Sequence, residues 1–185
     1  RVDGMLLTRA LEDDRALQYL SQANFPTALT GTCRYDNIIQ VDTDNEGAAE
    51  KMTTLLIGKG FRRFAFLVKD MSYNVDRKRH EGFCRALIKN GISEKDQLFY
   101  NGSIRMEFLD AIIENIISKK VECIICGDDE ICTMVMSRLQ AEGYRIPKDV
   151  AIASLYNSTN LDCYSPAVTA VSVAASQMGG TAVRQ

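Results

Sequence analysis

The chain contains 185 residues, of which 46% are hydrophobic and 25% are charged. These proportions are ordinary for a globular protein, and the length allows one compact α/β domain or two small lobes. A net charge of −2 provides no basic footprint for nucleic acid, so we expect that this chain by itself does not bind DNA. The sequence has no apolar run of about 18 residues, so we expect no membrane partner.

Six cysteines are spread among apolar neighbours, and a chain of this length does not need disulfides for stability. Because residues 1–5 also lack the regions of a signal peptide, we expect reduced thiols and a cytoplasmic location. Cys123 and Cys126 form a Cys-x-x-Cys pair that could indicate zinc. However, residues three apart on a strand point to opposite faces, and the single histidine, His80, is distant in sequence. We predict buried thiols and no metal site.

The first third of the chain alternates short apolar runs with helical periodicity. This pattern predicts helical spacing over residues 11–20 and strands over residues 2–7, 25–29 and 38–41. Asp44 or Asn45 can cap the next helix, which glycines end at Gly58 and Gly60. One apolar face of this helix would carry Ala48, Ala49, Met52, Leu55 and Leu56.

A more regular alternation follows, with predicted strands over residues 64–68, 98–100, 121–126, 150–155 and 168–173. The apolar faces of the intervening helices would carry Phe83, Ala86 and Leu87, then Phe108, Ala111, Ile112 and Ile116, then Ile131, Val135 and Leu139. A last helix starts near Gln177. Strands that alternate with helices indicate βαβ units and a parallel sheet, so the predicted fold class is α/β.

Polar side chains gather in the loops that follow the predicted strands. These loops are Thr8-Arg9, residues 42–44, 69–74, 101–103 and 127–129, and Tyr156-Asn157-Ser158. In a parallel sheet these loops meet at one rim, where open α/β sheets bind ligands. A cation, carboxylates, amides and tyrosines suit a polyhydroxylated ligand.

We therefore predict that Thr8, Tyr73, Arg79, Asp128 and Tyr156 contact a ligand. Each has an alternative structural explanation. Asp128, like Asp44, could simply cap a helix, and Arg79 could be a solvated cation at a helix start. The two tyrosines could be packing residues.

The sequence offers little support for catalysis or for a cofactor. A single histidine leaves little scope for a Ser-His-Asp or Cys-His arrangement, and a Gly-x-Ser-x-Gly elbow is absent. Gly58-Lys59-Gly60 lacks the spacing of a phosphate-binding loop. Residues 128–130 could hold Mg²⁺, but a helix start explains these acidic residues more simply. We expect that the protein is not an enzyme and needs no cofactor.

Several short motifs, taken in order, resemble the effector-binding core of lactose-repressor (LacI/GalR) type regulators. They are Val2-Asp3-Gly4, Asp44-Asn45-Glu46-Gly47-Ala48, residues 60–67, Arg79-x-x-Gly82-Phe83, Asp129, Gly143, Ile146-Pro147-x-Asp149-Val150 and Pro166-x-x-Thr169-x-Val171. The resemblance implies two periplasmic-binding-protein-like lobes with an effector between them. Residues 1–61 and 168–185 would form an incomplete N-terminal lobe, and residues 62–167 would form the C-terminal lobe. The chain is then a piece truncated at both ends, without the helix-turn-helix headpiece.

The resemblance also implies roles for individual residues. The arginine that grips effector hydroxyls in the family corresponds to Arg79, and an asparagine-aspartate pair corresponds to Asp128-Asp129. A further ligand-gripping aspartate of the family is replaced by Tyr156-Asn157, preceded by Ser154 in place of a glycine. This departure could favour an aromatic-stacked, phosphorylated or otherwise altered effector.

By this resemblance, the chain would be the sensing domain of a cytoplasmic bacterial repressor of the LacI family. A sugar or sugar derivative would close the lobes and change operator affinity in the intact homodimer, which would touch DNA only through the missing headpiece. The alternative is a periplasmic sugar-binding protein of a transporter, which shares the fold. The scattered cysteines argue against that oxidising compartment.

Overall fold

The chain folds into two parallel β-sheets, as the alternation of strands and helices predicts. The computed structural model describes residues 2–102 and 106–184. The first sheet has the order β1-β2-β3, with strands β1 (Met5–Thr8), β2 (Thr27–Thr30) and β3 (Ile39–Val41). Each predicted strand is present, although the first begins three residues later than expected, at Met5.

The second sheet has five parallel strands in the order β5-β4-β6-β7-β8. They are β4 (Phe64–Val68), β5 (Leu98–Asn101), β6 (Cys123–Cys126), β7 (Ala151–Ser154) and β8 (Thr169–Ala170). Every residue of β4, β6 and β7 is buried, which accounts for their continuous apolar character.

Helices connect the strands at the predicted places, with two short additions that were not predicted. The helices are α1 (Arg15–Gln22), α2 (Asn45–Gly58), α3 (Asn74–Lys89), α4 (Met106–Ser118), α5 (Asp129–Ala141), α6 (Thr159–Asp162) and α7 (Ala175–Arg184), with a 3₁₀ helix at Glu94–Asp96. The two additions are α6 and the 3₁₀ helix. Asp14 caps α1, so the helix starts later than the predicted residue 11. Asp44, rather than Asn45, caps α2 through the N–H of Gly47 at 2.8 Å. None of the described helices is long and apolar enough to cross a bilayer.

The five-stranded sheet has an apolar core on each face. One core includes Ala65, Leu67 and Cys126 under α4 and α5, and the other includes Phe66 and Cys123 under α2 and α3. Cys123 and Cys126 are buried on opposite faces, as predicted. These two positions therefore cannot share one metal ion.

The predicted buried face of α4 is only partly right. Ile116 is buried as predicted, but Phe108 is 57% exposed, and Leu109 and Ile113 are fully buried instead. The helix packs against α5 as well as the sheet, so its orientation depends on a neighbour that periodicity alone does not include. In α2, Leu55 is likewise exposed, and Thr53 and Ile57 are buried instead.

Helix α2 packs on the five-stranded sheet rather than on the first one. Its residues Ala49, Met52 and Leu56 share a core with Phe64 of β4. Strand β8 also pairs with this sheet, whereas α7 packs on β2 and β3. The division into lobes at residues 61 and 168 stays a prediction. The packing of α2 suggests that the chain first passes from one lobe to the other before α2.

Candidate functional site

A cavity of about 470 Å³ lies where the carboxyl ends of strands from both sheets meet. Thr8, Tyr73, Arg79, Asp128 and Tyr156 all line it, so the structure brings together the five residues singled out from the sequence. Strand ends of this kind are the usual ligand position in open α/β sheets. Their contact with a ligand stays a prediction.

Among the predicted ligand-binding residues, Arg79 is the most buried one that carries a charge. It lies on α3 and is only 8% exposed. Its Nη1 donates to the carbonyl oxygen of Gly127 at 2.7 Å and lies 4.0 Å from Oδ1 of Asp76. Burial lowers the pKa of Arg79, although the nearby carboxylates of Asp76, Asp128 and Asp42 oppose this shift. The guanidinium has five N–H donors, so donors remain for a second acceptor.

Two glycines allow Arg79 to reach this position. At Gly127, a Cβ would lie 3.0 Å from Cγ1 of Val68 and 3.1 Å from the carbonyl oxygen of Leu67, so the loop after β6 is pressed against β4. At Gly82, a Cβ would collide with the carbonyl oxygen of Glu46, so glycine lets α3 lie directly against α2. The Arg79-x-x-Gly82 spacing thus combines a packing position with a cavity position one turn earlier.

Asp76 was missed by the sequence reasoning. It is 7% exposed, lines the cavity and accepts the backbone N–H of Asp70 at 3.1 Å. Burial raises the pKa of the Asp76 carboxyl, while the hydrogen bond from Asp70 and the charge of Arg79 act in the opposite direction. The i, i+3 spacing of Asp76 and Arg79 on one helix is the signal that could have identified it.

Asp128 caps a helix, one of the two roles that the sequence left open, and it also lines the cavity. Its Oδ1 accepts the N–H of Ile131 at 2.9 Å and so caps α5, and its Oδ2 lies 2.9 Å from Nζ of Lys69 in the cavity wall. Lys69 also pairs with Glu130. Burial by itself would lower the pKa of Lys69, but its hydrogen bonds to Glu130 and Asp128 outweigh this and raise it. Lys69 is therefore a fixed cation at the rim.

The first sheet supplies small hydroxyl side chains and one unusual backbone. Thr30 and Thr32 line the cavity after β2, a loop that the sequence reasoning did not include although it follows a predicted strand. Arg9 also lines the cavity and has a φ of 74°. This left-handed conformation is uncommon for a long side chain, and such residues are concentrated at functional sites.

The two tyrosines of the cavity wall lie next to different elements, α3 and β7. Tyr73 directly precedes α3, and its backbone bridges to Leu11 beside the first sheet. Tyr156 follows β7, where Oγ of Ser154 donates to its carbonyl oxygen at 2.7 Å. Both rings are half-buried. Because each ring is partly exposed, it can present an aromatic face to a ligand.

The described residues of one predicted rim loop, Asn101 and Gly102, do not line the cavity. Oδ1 of Asn101 accepts the N–H of Met71 at 3.0 Å, at the edge strand β5, and Asn101 is not a lining residue. Ser103, in the same loop, lies outside the described residues.

The charges of the cavity wall disfavour an anionic ligand. Among the described residues, the wall carries three cationic side chains and five acidic ones: Arg9, Lys69 and Arg79, and Asp42, Asp76, Asp128, Asp129 and Glu130. A polyanion would meet more like charge than opposite charge. This arrangement disfavours a phosphorylated effector, one of the options that the sequence left open.

A second cavity, of about 530 Å³, lies at the opposite end of the five-stranded sheet. It is lined by Lys59, Arg63, Lys120 and Tyr144 among others, beside the amino ends of β4 and β6. It contains none of the five predicted residues. Ligands of parallel sheets bind at the carboxyl ends, so the cavity around Arg79 is the candidate site although it is slightly smaller.

Residues 53–185 match the protein family described as "Periplasmic binding protein-like domain". The HTH-type transcriptional regulator CelR of Thermobifida fusca is 27% identical over 183 residues, which are 96% of this chain and 54% of that protein. Catabolite control protein A of Staphylococcus xylosus is 25% identical over 172 residues, 92% of this chain and 52% of that protein. The chain thus spans about half the length of the curated relatives it matches.

Solved structures give the same result. A putative LacI transcriptional regulator from a Bacillus cereus subspecies superposes with a TM-score of 0.91 at 31% identity, covering 98% of this chain and 66% of that one. A complex of the regulator CelR with cellobiose has a TM-score of 0.87 at 27% identity and covers 100% of this chain and 58% of that one. The resemblance stated from the sequence motifs is confirmed.

Proposed function

Because the chain belongs to the periplasmic binding protein-like domain family, in the form found in LacI-type transcription regulators, we propose that it senses the effector of such a regulator. The observation that carries this proposal is the cavity between the two sheets, where Arg79 is buried and held by Gly127. A ligand that touches both walls would stabilise one relative position of the sheets over others. The affinity of the intact protein for its operator would change accordingly.

The proposed effector is a sugar or an uncharged sugar derivative. Support comes from the mixture of Arg79, Asp128 and threonine hydroxyls in the wall, because sugar hydroxyls both donate and accept hydrogen bonds. The half-buried rings of Tyr73 and Tyr156 suit the apolar face of a pyranose. Since a similar structure is a CelR–cellobiose complex, cellobiose is a suitable first probe.

The remaining partners belong to the whole regulator. Operator DNA would be bound by a helix-turn-helix headpiece outside this chain, in a homodimer, and the name of the relative CelR supports this assignment. The six cysteines are free, in keeping with the cytoplasm, where a regulator acts. A transporter's periplasmic sugar-binding protein is the less supported alternative, because the relatives named above are transcription regulators and not enzymes or transport proteins.

Isothermal titration calorimetry with mono- and disaccharides, cellobiose included, tests the proposal. For a sugar that binds, Arg79→Ala should weaken the affinity by about 10- to 100-fold, because hydrogen bonds to a charged donor are lost. Arg85→Ala is the matched control, since Arg85 lies on the same helix but pairs with Glu46 and Glu50 outside the cavity. Circular dichroism verifies that both variants fold. Equal affinity of Arg79→Ala and the wild type, or no carbohydrate binding at millimolar concentrations, contradicts the proposal.

A further inference from the structure

Three metal-ligating side chains lie together outside the effector cavity. They are His80 and Cys84, one turn apart on α3, and Glu94, at the start of the 3₁₀ helix. One ligand atom from each of the three lies within 4.8 Å of the others. Neither His80, Cys84 nor Glu94 lines the cavity around Arg79. We propose that these three side chains form a zinc-binding site.

The distances suit tetrahedral zinc. Sγ of Cys84 lies 3.5 Å from Nε2 of His80 and 3.1 Å from Oε1 of Glu94. With Zn–S near 2.3 Å and Zn–N or Zn–O near 2.1 Å, a tetrahedron places such ligand atoms about 3.6 Å apart. The ligand atoms of His80 and Glu94 lie within 4.8 Å of each other, and these two side chains would adjust to complete the tetrahedron. A water molecule completes the coordination.

The fold orients the ligands before metal arrives. An i, i+4 spacing puts His80 and Cys84 on one face of α3. Gly91, with a φ of 66°, reverses the chain after α3 and returns Glu94 to the side of Cys84. The ring of His80 lies against Phe99, with centroids 4.3 Å apart, which limits its rotation. Little conformational freedom is therefore lost on binding.

The chemistry of the three donors selects the metal. An imidazole nitrogen and a thiolate prefer Zn²⁺ or Co²⁺ over Mg²⁺ or Ca²⁺, which require oxygen ligands. The complex of Zn²⁺ with one thiolate, one carboxylate and a neutral imidazole carries no net charge.

Zinc binding would remove the proton of the Cys84 thiol. Without metal, the Cys84 thiol donates a hydrogen bond to Oε1 of Glu94. On binding, the thiol releases its proton to solvent, its hydrogen bond to Glu94 breaks, and a sulfur lone pair and a carboxylate oxygen bind the zinc.

Titration of the chain with Co²⁺, a spectroscopic substitute for Zn²⁺, tests the site. The wild type should bind one equivalent, with thiolate-to-cobalt charge-transfer absorption and the intense visible bands of tetrahedral cobalt, and Zn²⁺ should displace it. Cys84→Ser should abolish the charge-transfer absorption, and His80→Gln should weaken binding at least about tenfold. The control is Cys163→Ser, which removes an exposed thiol elsewhere and should leave the spectrum unchanged.

Two results overturn the proposal: no charge-transfer absorption in the wild type, or the same absorption in Cys84→Ser. Circular dichroism of Cys84→Ser and His80→Gln excludes unfolding as the cause of a lost signal. Because the experiment uses no sugar, it can fail without affecting the proposed effector site.

Discussion

The burial of Arg79 costs free energy and agrees with the proposed role of this residue in ligand binding. Taking a guanidinium and the Asp76 carboxylate out of water is costly, and a buried ion pair often stabilises a fold no more than apolar residues of similar volume would. Here the closest approach between the two groups is 4.0 Å, so the pair is loose. A ligand hydroxyl between or beside them would give both groups a closer partner.

Glu122 provides a test of electrostatics away from the site. Its carboxylate accepts the backbone N–H groups of Arg62 at 2.7 Å and of Arg63 at 3.1 Å, and so ties the segment before β4 to the start of β6. Burial by itself would raise the pKa of Glu122, but these hydrogen bonds and the charge of Arg63 outweigh it and lower the pKa below 4.5. The stabilisation is therefore present above pH 4.5 and is lost as the pH falls through the folded-state pKa.

We expect Glu122→Gln to lower the free energy of unfolding at neutral pH by no more than about 1 kcal/mol, since Glu122 is partly exposed and water screens its charge. The difference from the wild type should shrink well below pH 4.5, where both side chains are neutral. Urea unfolding at the two pH values measures it, with Glu114→Gln on the exposed face of α4 as the control. A difference that grows in acid would show that the direction of the pKa shift is wrong.

At the scale of secondary-structure elements, the close packing of α2 against α3 depends on Gly82. A Cβ at this position would collide with the carbonyl oxygen of Glu46 and lie 3.0 Å from Cβ of Ala49. Alanine has the higher helix propensity, but here the two helices would have to separate.

We therefore expect Gly82→Ala to destabilise the chain by about 1–3 kcal/mol. Gly58→Ala, at the end of α2, is the control, because no atom lies within 4 Å of the added Cβ. It should be neutral or slightly stabilising. Chemical denaturation followed by circular dichroism compares the two variants. If both changes have the same effect, the close approach of α2 and α3 is not a constraint on the fold.

The elements themselves were largely predictable, and their partners were not. The apolar runs at Phe64–Val68 and Cys123–Cys126 are strands because both of their faces are covered, and their composition records this. The rotation of α4 that exposes Phe108 depends on contacts with α5, which are distant in sequence. The packing of α2 on the second sheet is equally non-local, and local periodicity does not carry that information.

The same distinction applies to the candidate site. Thr8, Tyr73, Arg79, Asp128 and Tyr156 could be selected because each follows a predicted strand or begins a helix at the same rim. The burial of Asp76 and the cluster of His80, Cys84 and Glu94 depend on tertiary structure, because turns bring residues from different segments together. Only their i, i+3 and i, i+4 spacings were visible in the sequence.

At the scale of the whole molecule, a short strip of contacts joins the two sheets beside the cavity. The backbone N–H of Glu12 donates to the carbonyl oxygen of Ser72 at 2.9 Å, and Nδ2 of Asn74 donates to the carbonyl oxygen of Thr32 at 2.6 Å. Arg77 and Glu12 form an ion pair at 2.6 Å across the same strip. A ligand that binds both walls would lie beside these existing contacts. If it binds one relative position of the two sheets more tightly than others, it would increase the population of that position.

We propose above that a carbohydrate effector binds between the two sheets and is held by Arg79. A crystal structure of the chain with the sugar that calorimetry identifies tests it most directly. We predict that sugar oxygens lie within hydrogen-bond distance of the Arg79 guanidinium and the Asp128 carboxylate, with the ring beside Tyr73 or Tyr156. A sugar found instead in the cavity lined by Lys59 and Tyr144, at the other end of the sheet, would contradict the account.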